Sequence, residues 1–210
     1  MTGMTAAAAL AMGSGLLVRR RYLRWGATHG EVAAALPGDE LVARADLTAT
    51  RAITIRASAA EVWPWLAQIG QGRGGFYNYD RLENLIGCNI HSADRIVPAW
   101  QTIAVGDCVR LHPEVAMAVA LVEPGRALVL QGEAPDGTTP PPYDGTWAFV
   151  LRDGPAGTTR LLMRERYGYT RWWSAAVLEP VELLSAVMSR RMLLGIRDRA
   201  ERAVTARVPA

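Results

Sequence analysis

Between Ala49 and Pro113 the chain changes its periodicity in an order that few folds accommodate. The run TATRAITIRA leads into ASAAEVWPWLAQIGQGRGGFYNYDRLENLIG and then NIHSADRIVPAWQTIAVGDCVRLHP. Ile53 and Ile55 alternate with Thr54 and Arg56, which predicts a half-buried strand. Ser58 stands three residues before Glu61, the capping-box spacing that opens a helix. Val62, Trp65, Leu66 and Ile69 share one helical face, and Pro64 should bend the helix because it removes a backbone donor. Gly70, Gly72, Gly74 and Gly75 end that helix and permit a sharp reversal. Phe76 to Ile86 then predicts a second short helix with Tyr79, Leu82 and Ile86 as its buried stripe. A strand, a capped helix, a glycine hinge and an aromatic helix in this order imply a wrapped pocket.

Five further strands are expected, at Asp107–His112, Val115–Val122, Arg126–Gln131, Thr146–Arg152 and Thr158–Tyr167. Pro113, the EPGR turn, a proline- and glycine-rich loop and DGPAG separate them, as in an antiparallel meander. Leu178 to Val204 predicts a long helix, with Val181, Leu184, Met188, Met192 and Gly195 on the face turned to the sheet. The fold class is therefore α+β, a helix-grip arrangement in which a curved antiparallel sheet wraps a long C-terminal helix. The space between sheet and helix is the natural binding site.

Composition narrows the partners. The 23 basic residues are all arginine, against 20 acidic ones, for a formal charge of +3. The arginines are spread among acids except at Arg19–Arg21 and at Arg190 and Arg191, so no basic stripe points to nucleic acid. Cys88 and Cys108 form no CxxC pair and fit a reducing compartment.

Three segments are expected: residues 1–23 as a weakly apolar tail, 24–47 as a leader helix and linker, and 48–206 as the helix-grip domain. The apolar run from Ala6 to Val18 is shorter than the roughly 20 residues a spanning helix needs. Its charge cluster follows the run, opposite to a secretory signal. The expected location is the cytoplasm, with attachment to the inner face of the membrane through residues 4–21 as the less favoured alternative. Within Arg24–Leu41 a short helix ended by Pro37 and Gly38 is expected, with Thr28 and Glu31 as a capping box and His29 solvated.

With these elements placed, the chain resembles the SRPBCC, or START-like helix-grip, superfamily. SAAEVWPWLAQIGQGRGGFYNYDRLENLIG carries most of the likeness, with IHSADRIVPAWQ, VGDCVRL, EPVELLSAVMSRRMLLGI and the leader's YLRWGATHGEVAAALPGDEL. It is most similar to an actinobacterial branch labelled polyketide cyclase/dehydrase-like. The resemblance covers Arg24 to Ala203 and implies the fold. It leaves the reaction open, because the superfamily hosts carriers, receptors and cyclases alike.

Several constellations carry candidate chemistry. RGGFYNYD, Arg73 to Asp80, offers Tyr77 and Tyr79 at a pocket mouth, or else a tight turn with the aromatics in the core. Cys88, His91 and Asp94 have metal-like spacing but mixed softness and no fourth ligand. His91 and Asp94 form an acid/base pair in one reading; in the favoured one, Asp94 pairs with an arginine and ties the loop before Trp100. Arg110 and His112 share one strand face, Arg164 and Arg166 another, and both pairs are expected outward because a buried arginine without a partner is costly. Glu165 then points inward as a lone carboxylate, on the face of Met163 and Tyr167, with Gln131 and Trp147 adding a donor and an aromatic wall. Met188 and Met192 suit an adaptable apolar pocket. Trp65, Phe76, Tyr77 and Trp100 complete the expected lining.

The favoured function is binding of a small hydrophobic or lipid-like molecule in the central cavity. The first alternative is a cyclase/dehydrase-like enzyme using His91 or Glu165 as base and Tyr77 or an arginine to steady an enolate. The second is a protein-interaction or stress-response module. No nucleotide loop or flavin fingerprint is present, and nothing in the sequence calls for a cofactor or metal.

Overall fold

A computed structural model describes residues 17–85, 87–132 and 141–206. The expected tail as far as residue 16, Ile86 of the expected buried stripe, and residues 133–140 and 207–210 lie outside these residues.

Six strands form one antiparallel sheet: β1 (Leu47–Ile55), β2 (Cys108–His112), β3 (Val115–Glu123), β4 (Ala127–Gly132), β5 (Tyr143–Asp153) and β6 (Thr159–Tyr169). Their order is β1-β6-β5-β4-β3-β2, so the first strand closes against the last and the rest is a meander. Register shifts between Arg110 and His112 and between Val119 and Leu121 add local bends at the β2 end. Between β1 and β2 lie α3 (Ala59–Ala67) and α4 (Asp80–Leu85), and α5 (Ser174–Thr205) follows the sheet. Ahead of β1, residues 17–23 are helical (α1), and α2 spans His29–Ala33. This is the helix-grip fold.

Two capping boxes form where their spacing places them, Thr28 with Glu31 and Ser58 with Glu61. The glycine hinge closes as a bridge between Gly70 and Gly75, both at positive φ. Gly195 lets α5 reach that region, since a Cβ there would lie 2.1 Å from the Tyr77 carbonyl oxygen.

Each sheet face has its own cover. Ile53, Phe149, Leu151, Leu161 and Met163 pack with α3 and with Met192, Leu193 and Ile196 of α5. On the other face Ala52, Val150 and Leu162 pack against Leu36 of the leader. β1 is thus buried on both faces over most of its length, where its alternation predicts a half-buried strand. The leader also corrects the expectation of solvated arginines. Arg164 is buried, donating to Thr50 Oγ1, to the carbonyls of Glu31, Val32 and Ala34, and to Asp39 at 2.6 Å. Arg166 donates to Val42 O. These partners offset the desolvation that otherwise keeps arginine outside, and they close the carbonyl end of α2. Arg110 is exposed, as expected.

Two helices differ from expectation. α4 begins only at Asp80, because Tyr77 adopts a φ of 59° and breaks the helical path; Tyr79 and Leu82 are exposed, not buried. On α5 the expected inward stripe holds from Met188 onward, while Val181 and Leu184 are exposed. In the first half of α5 the buried residues are Leu178, Glu182, Ala186 and Ser189. The cause is Arg51 of β1. Its guanidinium is buried under α5, and Glu182 turns inward to meet it.

Candidate functional site

A cavity of 760 Å³ lies between the concave sheet face and α5. That size suits one small organic molecule. Phe76 and Asn78 reach it from the hinge and Glu83 from α4. Leu111 and Met117 close the β2–β3 side, with Glu114 on the turn between them. Tyr143, Thr146 and Trp147 of β5 and Glu165 and Tyr167 of β6 form the wall. Val181, Ser185, Met188, Ser189 and Met192 of α5 form the other side.

Its wall is aromatic. Phe76 and Trp147 stand 6.1 Å apart between ring centroids, and Tyr143 meets Tyr167 edge-on at 5.5 Å. Burial raises the ionisation range of both tyrosines, so their phenols are neutral and act as hydrogen-bonding rims on apolar bodies.

Its floor is ionic. Arg51 donates one nitrogen to Glu165 Oε2, another to Glu182 Oε1, and Nε to Tyr22 O at 3.2 Å. Glu165 Oε1 accepts from Ser185 Oγ at 2.7 Å. Both Glu165 oxygens are therefore engaged, so it is not the lone carboxylate expected from the sequence. Two carboxylates share one guanidinium, and burial together with the Glu165 charge pushes Glu182 up to about 8. That raised affinity of Glu182 for a proton brings the floor towards electroneutrality.

The remaining charged lining is acidic, Glu83 and Glu114. Glu83 accepts from Asn78 Nδ2 at 2.8 Å, and its burial raises its ionisation range. Glu83 Oε2, Asn78 Oδ1 and Trp147 Nε1 are buried and have no hydrogen-bond partner among the described residues. Two acceptors and one donor are thus left for a guest. No arginine or histidine lines the cavity among the described residues, in a chain with 23 basic residues.

Six of the expected lining residues meet here: Phe76, Trp147, Glu165, Tyr167, Met188 and Met192. The others lie elsewhere. Trp65 and Met163 are core residues. Tyr77 is buried in the same core, where its hydroxyl donates to Trp65 O at 3.0 Å and Arg199 lies 4.9 Å over its ring. Its place is a latch between hinge and helix, not a pocket mouth. Trp100 O accepts from Arg73 at 2.6 Å, a staple for the hinge. Gln131 sits within β4 opposite Thr146 but is not part of the lining.

His91 is exposed and does not line the cavity, and neighbouring Asp94 pairs with Arg199 at 3.0 Å. That pair ties the loop to α5, the structural role favoured for Asp94. Cys88 is buried, Cys108 is exposed, and both are free. No cluster of His, Cys, Asp and Glu that would hold a metal occurs among the described residues.

Sequence reasoning missed Arg51, Glu83, Glu182, Ser185 and Ser189. A signal for the last three was present. They recur at helical spacing, and a polar stripe on a helix whose opposite stripe is apolar has two possible orientations. The apolar stripe is the one usually turned inward, and here that choice is reversed.

No family model and no curated protein matches the sequence. Solved structures do align with it. Norcoclaurine synthase from Thalictrum flavum, solved with dopamine and hydroxybenzaldehyde, is 12% identical with a TM-score of 0.44, over 84% of this chain and 97% of that one. CalU16 from Micromonospora echinospora is 13% identical with a TM-score of 0.35, over 75% and 86%. A protein from Arthrobacter aurescens is 12% identical with a TM-score of 0.45, over 81% and 92%. Likeness at this level concerns the chain path alone.

Proposed function

We propose that the protein, whose helix-grip fold and sequence resemble the SRPBCC superfamily, binds one small, largely apolar molecule in the 760 Å³ cavity. The guest is neutral or positively charged rather than anionic. The observation that carries this is the lining itself: aromatic rings, methionines and, outside the pair that Glu165 makes with Arg51, two further carboxylates (Glu83 and Glu114), with no basic side chain among the described residues. Apolar burial contributes about 25 cal/mol per Å², less the entropy of immobilising the guest. Glu83, Asn78 and Trp147 orient it, and the tyrosine and tryptophan faces favour a cation over an anion.

The acid/base reading has less support. Of its three residues, His91 and Tyr77 lie away from the cavity, and Glu165 is held by Arg51 and Ser185. An enolate would also meet carboxylates where it needs cations.

Native mass spectrometry of the full chain purified from a bacterial host tests the reading. A retained small molecule is expected, absent from Met188→Trp, whose indole would occupy the cavity. A chain that carries nothing and binds no member of a naphthalene-based panel would sink the proposal.

A further inference from the structure

The outer side of α5 presents an unusual surface. Trp172 is 95% exposed, and Val177, Val181, Leu183, Leu184 and Val187 follow along the helix, with Val181 at 51% and Leu184 at 55%. Scattered apolar exposure is ordinary, whereas a contiguous stretch of this length marks an interaction site. The acids within it are internally neutralised. Glu179 accepts from Arg19 of α1 at 2.9 and 2.5 Å, and Glu182 is buried against Arg51. What borders the stretch in solvent is arginine: Arg171 at one end, Arg190 at the other, and Arg21 of α1 across the adjoining groove.

Beside this face runs a groove of 600 Å³ between α1 and α5, lined by Arg21, Arg190 and Arg191 with Tyr22 and Trp25 and, among the described residues, by no acidic one. Arg190 sits 5.3 Å over the Trp25 ring, which fixes its guanidinium at the groove. Arg191 has a counter-charge only at long range, Asp198 at 4.0 Å.

We propose that the outer face of α5 and the adjoining arginine groove dock the protein on an anionic lipid surface. Apolar side chains, an exposed tryptophan and flanking arginines are the three components of interfacial binding, and here they are supplied by α5, the turn that leads into it and the adjoining α1. A second copy of the chain fits less well. An isologous contact on this face would bring its arginine border towards itself. The inference is independent of the cavity's guest, although Val181 belongs to both the face and the cavity rim.

Flotation of the full chain with vesicles tests it. Vesicles of phosphatidylcholine with about 30 mol % phosphatidylserine should carry the protein, and phosphatidylcholine alone should not. Added salt should weaken the binding. Val177→Glu/Leu184→Glu should reduce it by at least about tenfold, and Arg190→Gln/Arg191→Gln by about fivefold or more. Circular dichroism and Tm of each variant should match the parent, since none of the four is a core residue.

No flotation would overturn the proposal. So would equal binding to both vesicle types, or undiminished binding in the Val177→Glu/Leu184→Glu variant, which would move the contact elsewhere in the chain. A vesicle-inert dimer broken by Leu184→Glu would assign the face to a second copy and overturn it equally.

Discussion

The two hollows beside α5 are opposites. Among the described residues, the cavity under the sheet has carboxylates and aromatic rings and no basic side chain, whereas the groove against α1 has three arginines and no acid. One helix builds both, because its polar residues Glu182, Ser185 and Ser189 face inward and Val177, Leu184 and Val187 face out. The lesson is that charge on this protein is sorted by place, not by amount. A net of +3 says nothing about either hollow.

Arg51 holds the sorting together, so its loss has the largest expected effect. Arg51→Met leaves Glu165 and Glu182 buried without their cation, and urea denaturation should show a loss of about 3–5 kcal/mol. Stability unchanged by this substitution would mean that the floor does not set the rotation of α5.

Next is a pH dependence with a defined sign. The folded chain keeps the Glu182 proton up to about 8, while the unfolded chain releases it in the ordinary range near 4.5. Folding takes up a proton between those values, so stability falls as pH rises from 5 to 8, at most about 1.4 kcal/mol per unit from this group. Thermal melts across that range should show the decline, and Glu182→Gln should flatten it. An equally steep decline in the glutamine variant would assign the titration to another group.

Selectivity should respond less strongly. Glu83→Gln keeps a hydrogen-bonding side chain and removes the charge, and should cut the preference for a cationic over an anionic guest by about three- to tenfold. The smallest effect expected is none. Arg190→Gln/Arg191→Gln should leave cavity affinity unchanged within about twofold, since neither residue lines it. A larger change would mean that the two hollows are coupled through α5.

The parts of this fold that were legible in the sequence are those fixed locally. Both capping boxes, the strand spacing and the long helix follow from patterns within ten or so residues, and the meander needs only its turns. What escaped depends on distant partners. Arg164 is inside because the leader, 130 residues earlier at Ala34, brings carbonyls to it. Glu182 is inside because Arg51 lies 131 residues before it. Tyr77 looked like a pocket residue, yet its positive φ turns it into the core against Trp65. The cavity's aromatic and methionine lining is readable as an apolar inward face; its acidic character is not, because Tyr79 and Leu82, the expected inward residues, are exposed and Glu83 of α4 reaches the cavity instead.

Calorimetric titration of the full chain with a matched pair, 1-naphthylethylamine and 1-naphthylacetate, tests the central claim most directly. The two share an apolar body and differ in charge. One-to-one binding of the amine, lost in Met188→Trp, is expected, with acetate binding at least about tenfold weaker. Tighter binding of the acetate, or amine binding that survives Met188→Trp, would contradict it.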